Sequence, residues 1–255
     1  MTGALSKKPQ YGSRVTTMAL VGGDTPISVN VTVSGKAGPL NYSHVISTLP
    51  FGCLRMVDTT HLNFDWDTQT AIRALHYDCS VKVAIKFSTR WWEDPGLPKG
   101  AHFGGGSSTD RPTRVVVYPS YGMHQNQDAT MIVSYTWAQD ALRLGALAKG
   151  KETEEEKLLI QLILKDLADI HQIDIGKLSS IMVDYKVHDW YADEYSVGTR
   201  LVLFHPPQPP DAGNVIPGAF ALFGPGNFSN LYPKVTQPVG GLFHFAGEAT
   251  SVHHA

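Results

Sequence analysis

Near its C-terminal end the sequence runs from Leu242-Phe243-His244-Phe245 into Ala246-Gly247-Glu248-Ala249-Thr250-Ser251. An apolar strand that breaks into small residues and a carboxylate predicts a strand-to-helix turn. Unpaired N–H groups at such a helix start can hold a phosphate or pyrophosphate, although Glu248 equally suits a helix start with no ligand. A second stretch, Trp190-Tyr191-Ala192-Asp193-Glu194-Tyr195-Ser196-Val197-Gly198, sets large aromatic rings close to a glycine. Such rings offer apolar faces to a flat ligand and the glycine lets backbone approach it; core packing is their commoner use. The third stretch is Ser107-Ser108-Thr109-Asp110-Arg111-Pro112 followed by Thr113 to Pro119. Here Tyr118 falls at a strand end, where its phenol could donate into a cleft or sit in the core with a water partner.

Other chemistries lack their residues. His253 and His254 are adjacent rather than four apart on a helix, so both imidazoles cannot face one metal, and we assign no metal ligands. There is no Gly-x-Ser-x-Gly elbow, and Gly104-Gly105-Gly106-Ser107 lacks the lysine of a phosphate loop. Cys53 and Cys79 give neither a disulfide framework nor zinc spacing, and read as small buried hydrophobes. Glu154-Glu155-Glu156 reads as a solvated helix start.

The elements that must position these groups are largely strands. Arg14 to Leu20 and Ile27 to Val33 alternate with period two, joined by a turn at Gly22-Gly23-Asp24. Val45 to Leu49 is a short strand stopped by Pro50, and a helix is expected from Asp67 to Leu75. Val81, Val83, Ile85 and Phe87 alternate with Lys82, Lys86 and Ser88 in a further strand. Gly96 to Ser108 reads as loop, with strands to follow at Arg114 to Tyr118 and Thr130 to Tyr135. Thr153 to His171 is the strongest helix, with a capping Thr153, an acidic first turn and an apolar stripe of Leu159, Ile163, Leu167 and Ile170. Pro206 to Pro210 reads as loop and Leu242 to Phe245 as the last strand, which together predict an α+β body.

Composition narrows the partners. The 255 residues are 42% hydrophobic and 17% charged with net charge -2, enough for one large or two ordinary domains and unlike a disordered or fibrous chain. Near-neutral charge removes the basic footprint of a nucleic-acid binder. No apolar run approaches the roughly 20 residues that cross a bilayer, so neither nucleic acid nor membrane is expected as a partner.

Five motifs, taken in order, resemble the C-terminal half of the flavin-containing amine oxidases, in particular the L-amino-acid oxidase branch. They are Tyr42 through Pro50, Trp91-Trp92-Glu93-Asp94, Ser108 through Arg114 with Tyr118-Pro119, Trp190 through Gly198, and Phe245 through Ser251. The resemblance reaches from near Val15 to Ala255. It implies the C-terminal part of a two-domain α+β fold: an FAD-binding domain in discontinuous segments, 1–50 and 231–255, around a substrate domain of mixed sheet and helices, 51–230. It also implies roles. Val15 resembles a backbone contact to the adenine end of FAD, Trp190 the ring beside the isoalloxazine, Gly247 and Glu248 the turn at the pyrophosphate and ribityl region, and Tyr118 the tyrosine that binds a substrate carboxylate.

The implied reaction is oxidation of an L-amino acid at its α-carbon. Flavin N5 takes the hydride, water releases a keto acid and ammonia, and oxygen is reduced to hydrogen peroxide. Where monoamine oxidases bind flavin through a cysteine, this sequence has Thr199, which implies non-covalent FAD. Two departures stand out. The family's Gly-x-Gly-x-x-Gly fingerprint is absent from these residues, which implies a partial chain completed by an N-terminal half or second polypeptide. The lysine that holds a water near N5 in many relatives is matched only by Arg55, which cannot serve as a proton acceptor. A polyamine or monoamine oxidase fragment, and a non-catalytic remnant acting as an interaction module, remain as alternatives.

Overall fold

The computed structural model describes residues 7–124, 128–196 and 218–252. In chain order the strands are β1 (Val15–Val21), β2 (Ser28–Val33), β3 (Leu40–Tyr42), β4 (Val45–Ser47), β5 (His76–Asp78), β6 (Ser80–Phe87), β7 (Gly106–Ser108), β8 (Val115–Val117), β9 (Ala129–Trp137), β10 (Met182–Asp189), β11 (Phe220–Leu222) and β12 (Phe243–Phe245). The helices are α1 (Phe51–Leu54), α2 (Trp66–Ala74), α3 (Ala138–Gly145), α4 (Glu154–His171), α5 (Ile175–Ile181) and α6 (Asn227–Asn230). They form two compact units, one of described residues 7–77 and 220–252, the other of 78–196 and 218–219.

The first unit is built on the antiparallel sheet β1-β2-β3 and a parallel pair, β4 with β12. Gly22 makes the first turn possible: its φ is 119°, and a Cβ there would stand 2.7 Å from Thr25 O. The alternating Val29, Val31 and Val33 face a core with Phe51, Leu54, Ile72 and Phe243. Asp65 caps α2 by accepting from Thr68 N–H at 2.7 Å. Residues 51–77 therefore share a core with β1 and β2, and this compact unit runs on to Tyr77. Likewise 220–230 lie in this unit rather than in the second.

The second unit is a five-stranded sheet, β10-β6-β9-β8-β7, whose ladders are antiparallel. The period-two pattern of β6 fixes its two faces. Val81, Val83, Ile85 and Phe87 are buried in one core with Leu159, Ile163 and Leu167 of α4, while Lys82, Ala84 and Lys86 point to the other face. Thr153 caps α4, accepting from Glu156 N–H at 3.3 Å. The acidic first turn is not wholly solvated: Glu156 is buried, and its carboxylate accepts from Gly150 N–H at 2.9 Å. Part of the glycine-rich stretch taken as loop pairs as the edge strand β7. Pro206 to Pro210, Thr199 and His254 lie outside the described residues.

Candidate functional site

In the first unit the turn after β12 sits at the carboxyl ends of two parallel strands, since Phe245 pairs with Ser47 and Ala246 N–H bonds Ser47 O at 2.8 Å. Strand carboxyl ends in open α/β sheets are where ligands bind. Gly247 has φ 111°, a conformation that L side chains rarely adopt, and a Cβ there would touch Thr48 O at 3.4 Å. The helix expected from Glu248 is, among the described residues, a single 3₁₀ turn, Glu248–Thr250. Both oxygens of Glu248 face the Ala221 N–H, at 3.2 and 3.1 Å, so the carboxylate ties β11 to the turn. Val15 opens β1 opposite Val33, with its side chain against the first core.

In the second unit the face of the sheet away from α4 carries a charged and aromatic cluster. Lys82 stands directly across from Tyr135 on β9 and from His188 on β10. Its Nζ lies 4.5 Å from the centre of the Tyr135 ring and 5.3 Å from that of Trp190. Trp190 meets His188 edge-on at 4.2 Å, and His188 Nε2 is 3.3 Å from an Asp193 carboxylate oxygen. Each cation–ring contact is worth roughly 0.5–1 kcal/mol at a partly exposed site. No carboxylate pairs with Lys82 among the described residues, so its ammonium is held by aromatic faces alone.

Tyr118 lies elsewhere. It follows β8, whose Val117 pairs with Ile132 near the start of β9, whereas Trp190 follows β10 at the end of the sheet where Val81 and Thr136 pair. The two residues are at opposite ends of the sheet. Tyr118 shares the face of Val116, which α4 covers; it is 2% exposed, and its hydroxyl lies 2.9 Å from His171 Nε2 and 3.0 Å from Ser107 Oγ. The expected opening of this phenol into a cleft is thus corrected: two residues from Val116 it must point inward.

His171 carries a measurable consequence. Burial first, and His102 nearby, push its imidazole down to about 4, and Nδ1 has no partner among the described residues. The unfolded chain takes up this proton near pH 6.5. Stability from neutral His171 is therefore full above that pH and is lost as pH falls from 6.5 towards 4, by about 2 kcal/mol after allowing for solvent screening. Thermal unfolding from pH 7 to 4 is expected to show this slope, flattened in His171→Phe; an equal slope in the variant would assign it to other groups.

Residues 2–255 match the family model described as flavin containing amine oxidoreductase. The chain belongs to this family. A Dictyostelium discoideum protein provisionally named a bifunctional amine oxidase is 43% identical over 96% of the chain and 21% of its own length. The L-amino-acid oxidase 4 of Hebeloma cylindrosporum is 41% identical over 84% of the chain and 32% of its own length. The fold also matches cyclohexylamine oxidase from Brevibacterium oxydans IH-35A, with TM-score 0.65 at 14% identity over 93% of the chain and 43% of that structure. The chain thus spans less than half the length of each of these proteins.

Within the flavin-containing amine oxidoreductase fold, two of the sequence motifs prove to be clamps. Arg111 reaches Asp169 at 2.7 Å and Asp166 at 3.4 Å, and buried Asp166 also accepts from Thr113 N–H at 3.2 Å and Thr113 Oγ1 at 2.9 Å. This pins the lead-in to β8 onto α4. Arg90 and Glu93, flanking the tryptophan pair, bond at 2.5 Å, and Glu93 holds the loop at His124 N–H at 2.9 Å. Arg55, in the first unit, donates from Nε to Ile72 O at 3.0 Å and from Nη2 to Arg73 O, closing the carbonyl end of α2. The basic group beside Trp190 is Lys82, which sequence matching missed. Its signal was a lysine on the outward face of a strand whose inner face is wholly apolar.

Proposed function

We propose that this chain forms the C-terminal part of an FAD-dependent L-amino-acid oxidase, converting an L-amino acid and oxygen to keto acid, ammonia and hydrogen peroxide. The observation that carries the reading is the pairing of Lys82 with Trp190 on the open sheet face. Preference for an amino acid over a simple amine is supported by 41% and 36% identity to relatives named L-amino-acid oxidase. We further propose that the flanking unit, with Val15, Gly247 and Glu248, serves FAD binding, that the second unit serves the substrate, and that additional polypeptide supplies the dinucleotide fingerprint.

In the first unit, the turn at Gly247, with φ 111°, fits close approach of a flavin nucleotide to backbone; in the second unit, taken by itself, an indole stands beside a lysine that pairs with no carboxylate among the described residues. FAD, bound without a covalent link, supplies the two-electron acceptor that no side chain provides. Gly247 of the first unit lets backbone come close to a ligand, and Trp190 of the second offers a flat apolar face. Lys82 Nζ, an ammonium with three donors and no acceptor, would hold a water beside Trp190, and the amino acid is oxidised as its neutral amine after losing a proton to solvent. The carboxylate role that the resemblance gives Tyr118 is not part of this proposal, because its phenol is buried on the face that α4 covers, away from Lys82 and Trp190.

The test is peroxide release by the flavin-loaded protein, with the polypeptide bearing the fingerprint included, on L-amino acids, D-amino acids and putrescine. Activity on L-amino acids is expected; turnover of putrescine alone would replace this reading with an amine oxidase acting on polyamines. Lys82→Met is expected to lower kcat by about 10²–10³ at unchanged flavin content. An unaltered kcat would remove Lys82 from the reaction.

A further inference from the structure

The second unit holds a hollow of about 480 Å³ at the start of β8 and the N-terminus of α3, large enough for a small organic ligand. Neither Lys82 nor Trp190 lines it. Arg114 and Arg143 reach its wall from two different elements and converge on one carboxylate, Asp140, at 2.5 and 3.2 Å. Two guanidinium charges against one carboxylate leave the hollow with a net positive charge. Arg114 uses Nε for this bond, which leaves its paired Nη groups for another planar acceptor.

The backbone adds to the same field. No side chain caps the first turn of α3, whose Ala138 and Gln139 line the hollow; Ala138 N–H is taken up by Cys79 O at 3.2 Å, and the helix start adds only its partial positive charge to the field. Arg114 and Ala138 have φ of 58° and 53°. Both are conformations that non-glycine residues rarely hold, and such strain gathers at ligand sites. One wall is the Trp137 indole, 46% exposed, and hydroxyls of Ser108 and Thr109 stand on another.

We propose that this hollow binds a small oxyanion carried on a planar ring: the anion between Arg114, Arg143 and the start of α3, the ring against Trp137. Phosphate and carboxylate share this chemistry. The experiment is calorimetric titration of the 255-residue chain with adenosine monophosphate, inorganic phosphate, adenosine and benzoate, with tryptophan fluorescence followed in parallel.

Saturable binding of adenosine monophosphate is expected, at least about tenfold tighter than adenosine and weakened by salt. Benzoate binding with no response to inorganic phosphate would identify the anion as a carboxylate; the reverse, a phosphate. Arg143→Gln, at a side chain 72% exposed, is expected to keep the unfolding temperature and weaken binding about fivefold. Arg114→Gln should weaken it about tenfold, and Trp137→Leu should remove the fluorescence change. Equal affinity for adenosine and its monophosphate, binding unaltered in both arginine variants, or no saturable binding by any probe would each overturn the proposal.

Discussion

Gly247→Val is expected to yield protein that purifies without flavin under conditions where the parent carries it. Valine must adopt φ near 111° or shift the turn, and its Cβ begins at contact distance from Thr48 O, with two methyl groups still to place. Holding a β-branched residue there costs about 1–3 kcal/mol. On the proposed function the larger effect is expected on the ligand, because backbone at Gly247 could no longer approach it closely. Gly241→Ala is the control: its φ is 70° and nothing lies within 4 Å of a Cβ there. That variant should lose similar stability and keep its flavin. Visible flavin absorbance per protein, together with the unfolding temperature, separates the two. Full flavin occupancy in Gly247→Val would remove this turn from the cofactor site.

Arg90→Met is expected to have the largest effect on the second unit. The Arg90 and Glu93 side chains are 6% and 9% exposed and bonded at 2.5 Å, and the guanidinium also donates to Tyr121 O at 3.1 Å and lies over Trp92. Burial pushes the Glu93 carboxyl up, but the His124 N–H and Arg90 outweigh it and hold the group below its ordinary range. Removing the arginine leaves that carboxylate enclosed with one N–H donor. Breaking such a pair from one side costs about 3 kcal/mol, which lowers the unfolding temperature by about 10 °C in a unit of this size. Arg90→Met combined with Glu93→Leu should recover much of the loss, because an apolar pair of similar volume has no stranded charge. A single variant that unfolds within 2 °C of the parent, roughly the effect of an ordinary surface change, would show the pair to be energetically idle.

Much of the second unit's layout was legible from local pattern. The alternation in β6 and β9, and the capped, striped α4, are governed by neighbours within a few residues, so periodicity alone located them to within a residue or two. β10 was not identified, although Tyr185 and Val187 alternate with Lys186 and His188. β7 was missed for a different reason. Its Gly106-Ser107-Ser108 has no strand propensity, and it pairs because β8 offers it an open edge. Glu156 looked solvated because its sequence neighbours are acidic; the Gly150 N–H that receives it comes from the turn before the helix.

By itself the amino-acid order determined the elements, the family likeness and the turn that requires Gly247, since each depends on residues adjacent along the chain. The tertiary structure decided which side of each strand is covered. A period of two separates the faces of β8 without naming the one that α4 packs against, and that packing sends Tyr118 inward to His171. Antiparallel pairing of β6 with β9 and β10 brought Lys82 between Tyr135 and His188 and beside Trp190. Contacts of this kind join residues far apart in the chain, and only the closing of the sheet sets them.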